Sequence, residues 1–273
     1  MAFIFKENLS DSIGIDECAI FSGDFYTIIL NKKAANKKGS IIAMIEGTKS
    51  SKIINALDKK INMFDKVAVK DVTIDLGSAV EWIARDIGIN AEIIYDRFHV
   101  EKLVFDALQN LRIFFRRIEL EKDDENEKRL SNGDTKKQLL IRSRYLLYKP
   151  SYLWTKEQKH RAEVLFKEYP VIEKAYNLVM ELKVIYNKRK FGVPPKFFLE
   201  EIANKMIKSK IGELVRVGRT IIKHLSGIAN YFTQRKTNAL LENFNGKIKT
   251  LLRNLRGTND RVFFLFRLFK LYA

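Results

Sequence analysis

Residues 13–31, IGIDECAIFSGDFYTIILN, decide the fold. Two apolar, β-branched runs, 13–21 and 25–31, flank the turn residues Ser22, Gly23 and Asp24, which is the pattern of two antiparallel strands. Two acids, Asp16 and Glu17, interrupt the first run, and Asp16 sits in an otherwise apolar stretch. A carboxylate placed in such a run is costly unless it is paired or holds a metal. Two further acids stand in comparable company: Asp75 in VTIDLGS (72–78) and Glu242 in TNALLENFNGKIK (237–249).

Outward from that stretch, residues 40–46 read as a third strand and 49–64 as a helix with Ile53, Ile54, Leu57 and Ile61 at helical spacing. Residues 67–75, VAVKDVTID, read as a fourth strand ending at Asp75. A Gly77-Ser78 turn then leads into a helix stopped by Gly88, and residues 91–96 form a fifth strand ending at Asp96. The order β-β-β-α-β-α-β predicts an α/β fold, a mixed sheet with helices on its faces. From His99 onward no further strand is legible. A long helix over 100–122 is followed by a polar loop at 122–135. Further helices cover 137–149, then a stretch from a Thr155 N-cap to about Tyr169, then 171–187, and a pair lies between Pro195 and Phe232. The last helix spans about 237–255, with Asn238, Glu242, Asn245 and Lys249 along one stripe. The organisation expected is a first core segment at 1–102, an all-helical basic insertion at 103–233, and a closing core helix within 234–273.

The charge follows this division. The formal net charge is +17, yet residues 1–100 carry 13 Lys/Arg against 14 Asp/Glu, while residues 101–273 carry 37 against 19. Such an excess suits a polyanionic partner. The single cysteine, Cys18, excludes an internal disulfide and a Cys-based zinc site, and fits a reducing compartment. Residues 1–12 do not read as a secretory signal, and no apolar run reaches membrane-span length, so no membrane partner is expected. Trp82 and Trp154 read as core residues, and the aromatic tail FFLFRLFKLY as core or a dimer contact.

Three carboxylates suit Mg²⁺ or Mn²⁺, which prefer hard oxygen ligands. Two such ions together serve phosphoryl transfer without His or Cys ligands, which fits a chain with three histidines. The acids of interest therefore point to metal-dependent work on nucleic acid, with no small-molecule cofactor.

Four segments give this reading a specific resemblance: 13–31, VTIDLGSAVEWI (72–83), AEIIYDRFHVEKLVFDALQNLR (91–112) and 237–269. Together they resemble the DDE transposases of bacterial insertion sequences, the ISL-three type most closely. DRFHV and the run from ENFNGKIK to RGTND are the most specific parts. The resemblance implies an RNase H-like fold whose all-helical insertion precedes the helix bearing the last acid. Position by position, it implies that Asp16, Asp75 and Glu242 are the catalytic and metal-holding acids, and that Asp96 and His99 belong to a supporting D-x-x-H motif. Asp96 remains an alternative to Asp75 as the second acid. Asp75 is favoured because it ends the fourth strand and opens a turn with room for a phosphate.

The resemblance further implies a bacterial, cytoplasmic, nucleoid-associated enzyme that cleaves DNA at the ends of an insertion sequence and joins it to a target. Such an enzyme would work as a homodimer or higher assembly on DNA. Arg97, Asn245, Lys247, Lys249, Arg253 and Arg256 are the expected DNA contacts, since phosphate neutralisation gives affinity without sequence readout. Two departures stand out. Only about a dozen residues precede the first strand, without the family's Cys-rich zinc motif and helix-turn-helix, so a catalytic core alone or a truncated product is expected. Asn243 also stands where relatives often have Gly. The alternatives are an inactive core that binds DNA or inhibits intact copies, and an RNase H-like nuclease or resolvase.

Overall fold

The computed structural model describes residues 1–21, 24–122, 128–255 and 260–273. It divides the chain into two compact units, one built from residues 1–99 and 230–273 and the other from residues 100–229. The expected turn residues Ser22 and Gly23, part of the polar loop at 122–135, and Arg256 lie outside the described residues.

The first unit is a six-stranded mixed sheet in the order β1-β4-β3-β2-β5-β6. Its strands are β1 (Ala2–Ile4), β2 (Ser12–Phe21), β3 (Asp24–Asn31), β4 (Ile41–Glu46), β5 (Asp71–Ile74) and β6 (Glu92–Tyr95). β1 to β4 pair antiparallel, whereas β2-β5 and β5-β6 pair parallel. The mixed α/β class expected from the sequence is thus found, with one edge strand more than expected. β1 was not legible because three residues carry no period. Its strand form comes from pairing, Ala2 with Ile45 and Ile4 with Ala43.

The expected helix at 49–64 is two, α1 (Ser50–Asp58) and α2 (Met63–Val67). Asn62 and Asp65 form a reciprocal capping box that restarts the chain as a helix, so the fourth strand begins at Asp71 rather than at residue 67. There Asp71 pairs with Ser12, and Ser12 Oγ donates to Asp71 Oδ1 at 2.8 Å.

Strand alternation sorts the side chains of β2 between two layers. On one face, Cys18 and Ile20 join Tyr26, Ile28, Leu30, Ile41 and Met44 under α11 (Ala239–Asn254) and α12 (Arg261–Tyr272). On the other lie α1 and α3 (Ser78–Ile87), which bury Ile53 and Leu57, and Val80, Ile83, Ala84 and Ile87. Trp82 is not a core residue, contrary to expectation, but 64% exposed. It stands about 200° round the helix from Val80, and so points away from the face that packs. The aromatic tail divides in the same way. Phe264, Leu265 and Leu268 are buried, with Phe264 edge-on to Phe21 and Phe269 against Phe3 and Phe5, while Val262, Phe263 and Phe266 are exposed.

Every regular element among the second unit's described residues is helical. It holds most of α4 (Arg97–Glu121), then α5 (Lys136–Arg142), α6 (Lys156–Glu168), α7 (Pro170–Asn187), α8 (Pro195–Lys208) and α9 (Gly212–Lys223), and the first turns of α10 (Leu225–Gln234). The expected pair between 195 and 232 is therefore three helices. A left-handed Lys210 separates the first two, and a break at His224 separates the last. Capping boxes at Thr135–Gln138 and Thr155–Gln158 fix two helix starts. Trp154 packs on Tyr176 with its indole N–H donated to Leu146 O at 2.9 Å.

One contact sets how closely α11 lies on the sheet. A Cβ on Gly14 would collide with Leu241 Cδ1, and Leu241 is itself buried. Gly14→Val should therefore overpack this contact and cost about 1–3 kcal/mol. Chemical denaturation checks this, and wild-type stability would show that α11 is not seated on Gly14.

Candidate active site

The acids come together because of strand register. β2 and β5 run parallel with Gly14 opposite Thr73, and β5 and β6 run parallel with Thr73 opposite Ile94 and Ile74 opposite Tyr95. Two residues beyond Gly14 lies Asp16, and two beyond Thr73 lies Asp75. Asp96 follows Tyr95 directly, its N–H donated to Ile74 O at 2.9 Å. Period-two alternation keeps Gly14 and Asp16 on the α11 face of the sheet. The three carboxylates thus stand in a row across β2, β5 and β6.

Helix α11 crosses that row. Asn245 Nδ2 donates to Asp16 Oδ2 at 2.7 Å, and Asn238 Nδ2 donates to Asp75 Oδ1 at 2.8 Å. The Asn238 backbone N–H also donates to Asp96 Oδ1 at 3.0 Å. Glu242, exposed, sits between those two asparagines on the same stripe, four residues after Asn238 and three before Asn245.

Asp75, Asp96 and His99 each present a ligand atom, and these atoms all lie within 4.8 Å of one another. His99 Nδ1 is 2.9 Å from Asp75 Oδ1 and 3.4 Å from Asp96 Oδ2. Neither Asp16 nor Glu242 belongs to that tight group, although Asp75 is close enough to Asp16 for its charge to be felt.

The environments of the acids differ. Burial, and then the charge of Asp75, push the Asp16 carboxyl up to about 6, against hydrogen bonds from Glu17 N–H and Asn245. Asp96 is 2% exposed. Burial alone would raise it, but bonds from His99, Asn238 N–H and Phe98 N–H outweigh burial and hold it below the usual carboxylate range. Hydrogen bonds to Asp75 and then Asp96 push His99 up to about 10. Asp96 is therefore engaged on both oxygens by the protein, while Asp75 and Asp16 remain part-exposed.

Around the row, Lys32 Nζ donates to Thr73 Oγ1 at 2.7 Å and to Thr237 O at 3.1 Å, and burial pushes its ammonium down to about 8. Lys236 pairs with Asp71. Asn36, buried and left-handed, donates to Leu240 O at 2.8 Å. These residues escape sequence reading. Lys32 and Asn36 lie in the polar connection KKAANKK, which looks like any solvated loop. Asn238 is visible on the α11 stripe, but nothing in the letters gives its partners.

The expected DNA contacts are distributed unevenly. Lys249 and Arg253 are exposed, and together with Lys247, Asn243 and Thr250 they line a groove of about 980 Å³ along α11. Lys247 Nζ also donates to Asn36 O at 2.9 Å and lies over the Tyr272 ring. Asn245 turns to Asp16, and Arg97 opens α4 beside Asp96.

The sequence profile of the DDE transposase family of the ISL-three type, described as transposase, matches residues 13–268. The match runs from the second residue of β2 into α12 and takes in β5, β6 and α11, so the chain belongs to that family of transposases. No curated protein and no solved structure gives a significant match. Membership makes DNA the partner and DNA recombination the process, and transposases of this kind normally use divalent metal ions. No helix among the described residues is long and apolar enough to cross a membrane.

The His99 contacts give a pH signature for the metal-free chain. Its folded value lies above the ordinary 6.5, so its pairing contributes stability fully present below pH 6.5 and lost as pH rises through about 10. An NMR titration of the metal-free protein should find the His99 imidazole midpoint near 10. A midpoint near 6.5 would mean that the contacts with Asp75 and Asp96 do not form.

Proposed function

We propose that this transposase cuts and joins DNA strands at a site formed by Asp16, Asp75 and Glu242. The observation that carries the reading is the row of carboxylates set by the β2-β5-β6 register and crossed by the Asn238–Glu242–Asn245 stripe.

The donor set fits a hard divalent cation, Mg²⁺ or Mn²⁺. It offers carboxylate oxygens, and Asp16 is raised by burial and by the neighbouring negative charge that a cation would neutralise. The amide oxygen of Asn238 adds a buried acceptor that has no partner among the described residues. Asp16, Asp75 and Glu242 are the residues that would hold two ions. When bound, such ions lower the pKa of an attacking water or hydroxyl and stabilise the leaving oxygen.

Asp75 is preferred over Asp96 as the second acid. Asp96 is almost fully buried and accepts from Asn238 N–H and Phe98 N–H while lying beside His99. Asp96 and His99 then act as supports: His99 bridges the two aspartates and fixes the angle at which Asp75 is presented. Lys249 and Arg253, exposed along the groove beside α11, neutralise DNA phosphates, with Lys247 at its wall.

In the first step, a water oxygen attacks the phosphorus at the element's end. The P–O3′ bond breaks and the DNA keeps a free 3′-hydroxyl. In the second, that hydroxyl attacks a target phosphodiester in line, and the target's own 3′ oxygen leaves. No bond to the protein forms in either step. Assembly as a dimer or larger complex on DNA, in the bacterial cytoplasm, completes the reading.

Asp16→Ala should abolish Mg²⁺-dependent cleavage and joining of element-end DNA and leave DNA binding largely intact. Cleavage by this variant at the wild-type rate would overturn the assignment.

A further inference from the structure

Asn238 stands at the N-cap of α11, where an asparagine ordinarily accepts a hydrogen bond from the second or third N–H of its helix. Here its side chain makes no capping bond. It is 1% exposed, Nδ2 donates to Asp75 Oδ1, the backbone N–H donates to Asp96 Oδ1, and Oδ1 is buried with no partner among the described residues. A buried acceptor left without a hydrogen bond is destabilising, so a cap that forgoes its own helix for this arrangement is not explained by helix stability.

The neighbouring residues hold it there. Lys236 is paired with Asp71, Thr237 O accepts from Lys32 Nζ, and Lys32 also donates to Thr73 Oγ1, two residues before Asp75 on the same strand. Residues 236–238 are thereby tied, one after another, to β5, β3's end and the residue after β6. Lys32 takes an ammonium into a part-buried place to make this tie, at the cost of a lowered pKa.

The geometry points to Asn238 as a positioning residue of the cation site. It locks Asp75 and Asp96 in one relative placement and offers its free Oδ1 to a hard divalent cation or to a water that the cation carries. The inference rests on the proposed role of the acids in holding such a cation. Lys32 acts one step further out, through Thr237.

The test is direct Mn²⁺ binding by the full chain, read from the electron paramagnetic resonance of free Mn²⁺, with melting temperature recorded for each variant. Asn238→Ser restores an ordinary helix cap, so it should keep the wild-type melting temperature or raise it, yet weaken Mn²⁺ binding about 10-fold or more, as loss of a supporting residue does at other metal sites. Lys32→Met should weaken binding in the same direction but by less. Wild-type affinity in a folded Asn238→Ser protein would overturn the inference. If that variant does not fold, the wild-type chain still decides: on Mg²⁺ titration the Asn238 side-chain amide resonance should shift with the same midpoint as the Glu17 backbone amide, and an unmoved resonance would overturn the inference. Asp16→Asn separates the two levels. Unaltered Mn²⁺ affinity in Asp16→Asn removes the cation site itself, whereas loss there with no loss in Asn238→Ser removes only the role of Asn238.

Discussion

Leu241 rests on the bare backbone of Gly14, and this close approach seats α11 against β2 beside the acids. Helix α11 is brought close enough for Asn245 to reach Asp16 and Asn238 to reach Asp75. A side chain at position 14 would press on Leu241, the residue through which α11 meets β2. The parallel register of β2 with β5 does the rest, because Gly14 opposite Thr73 makes Asp16 and Asp75 neighbours across the sheet. Fold and site are in this sense one arrangement: the apolar stripe Leu241, Phe244 and Ile248 buries the helix, and the polar stripe beside it meets the acids.

Polar groups are concentrated where the chain returns to the sheet. Gln234 meets Glu92, Asn230 donates to Ile93 O, Lys236 meets Asp71, Lys32 holds Thr237, and Asn238 meets two aspartates. Residues 100–229 fold as a unit with its own core. A segment resuming after so long an excursion has no strand period or turn chemistry to place it. Side-chain bonds to β5 and β6 supply that placement, and Lys32 and Lys236 are partly buried there despite their charge. Burial of an ammonium such as Lys32 is unfavourable in itself and is offset here by two hydrogen bonds.

Much of the sheet was legible in the letters. The alternation in 13–31, the acid-terminated strands at Asp75 and Asp96, and the stripe on α11 all follow from side-chain periodicity. Three things were not. β1 has no pattern of its own and exists only by pairing with β4. The outward Trp82 reads as core because a large apolar residue beside Ile83 gives no sign of which way the helix faces. The tight group at the site is Asp75, Asp96 and His99, which three-dimensional proximity defines and spacing cannot. The acids could be picked out as unusual, but their partners, Asn238, Asn245 and Lys32, depend on register and on a loop whose sequence is ordinary.

The central claim concerns which carboxylates share a cation. Anomalous diffraction from crystals soaked in Mn²⁺ tests it most directly. The account predicts manganese peaks bounded by Asp16 and Asp75, with Glu242 turned in from α11 to complete the set. Manganese held by Asp96 and His99, with Asp16 outside its ligands, would contradict it.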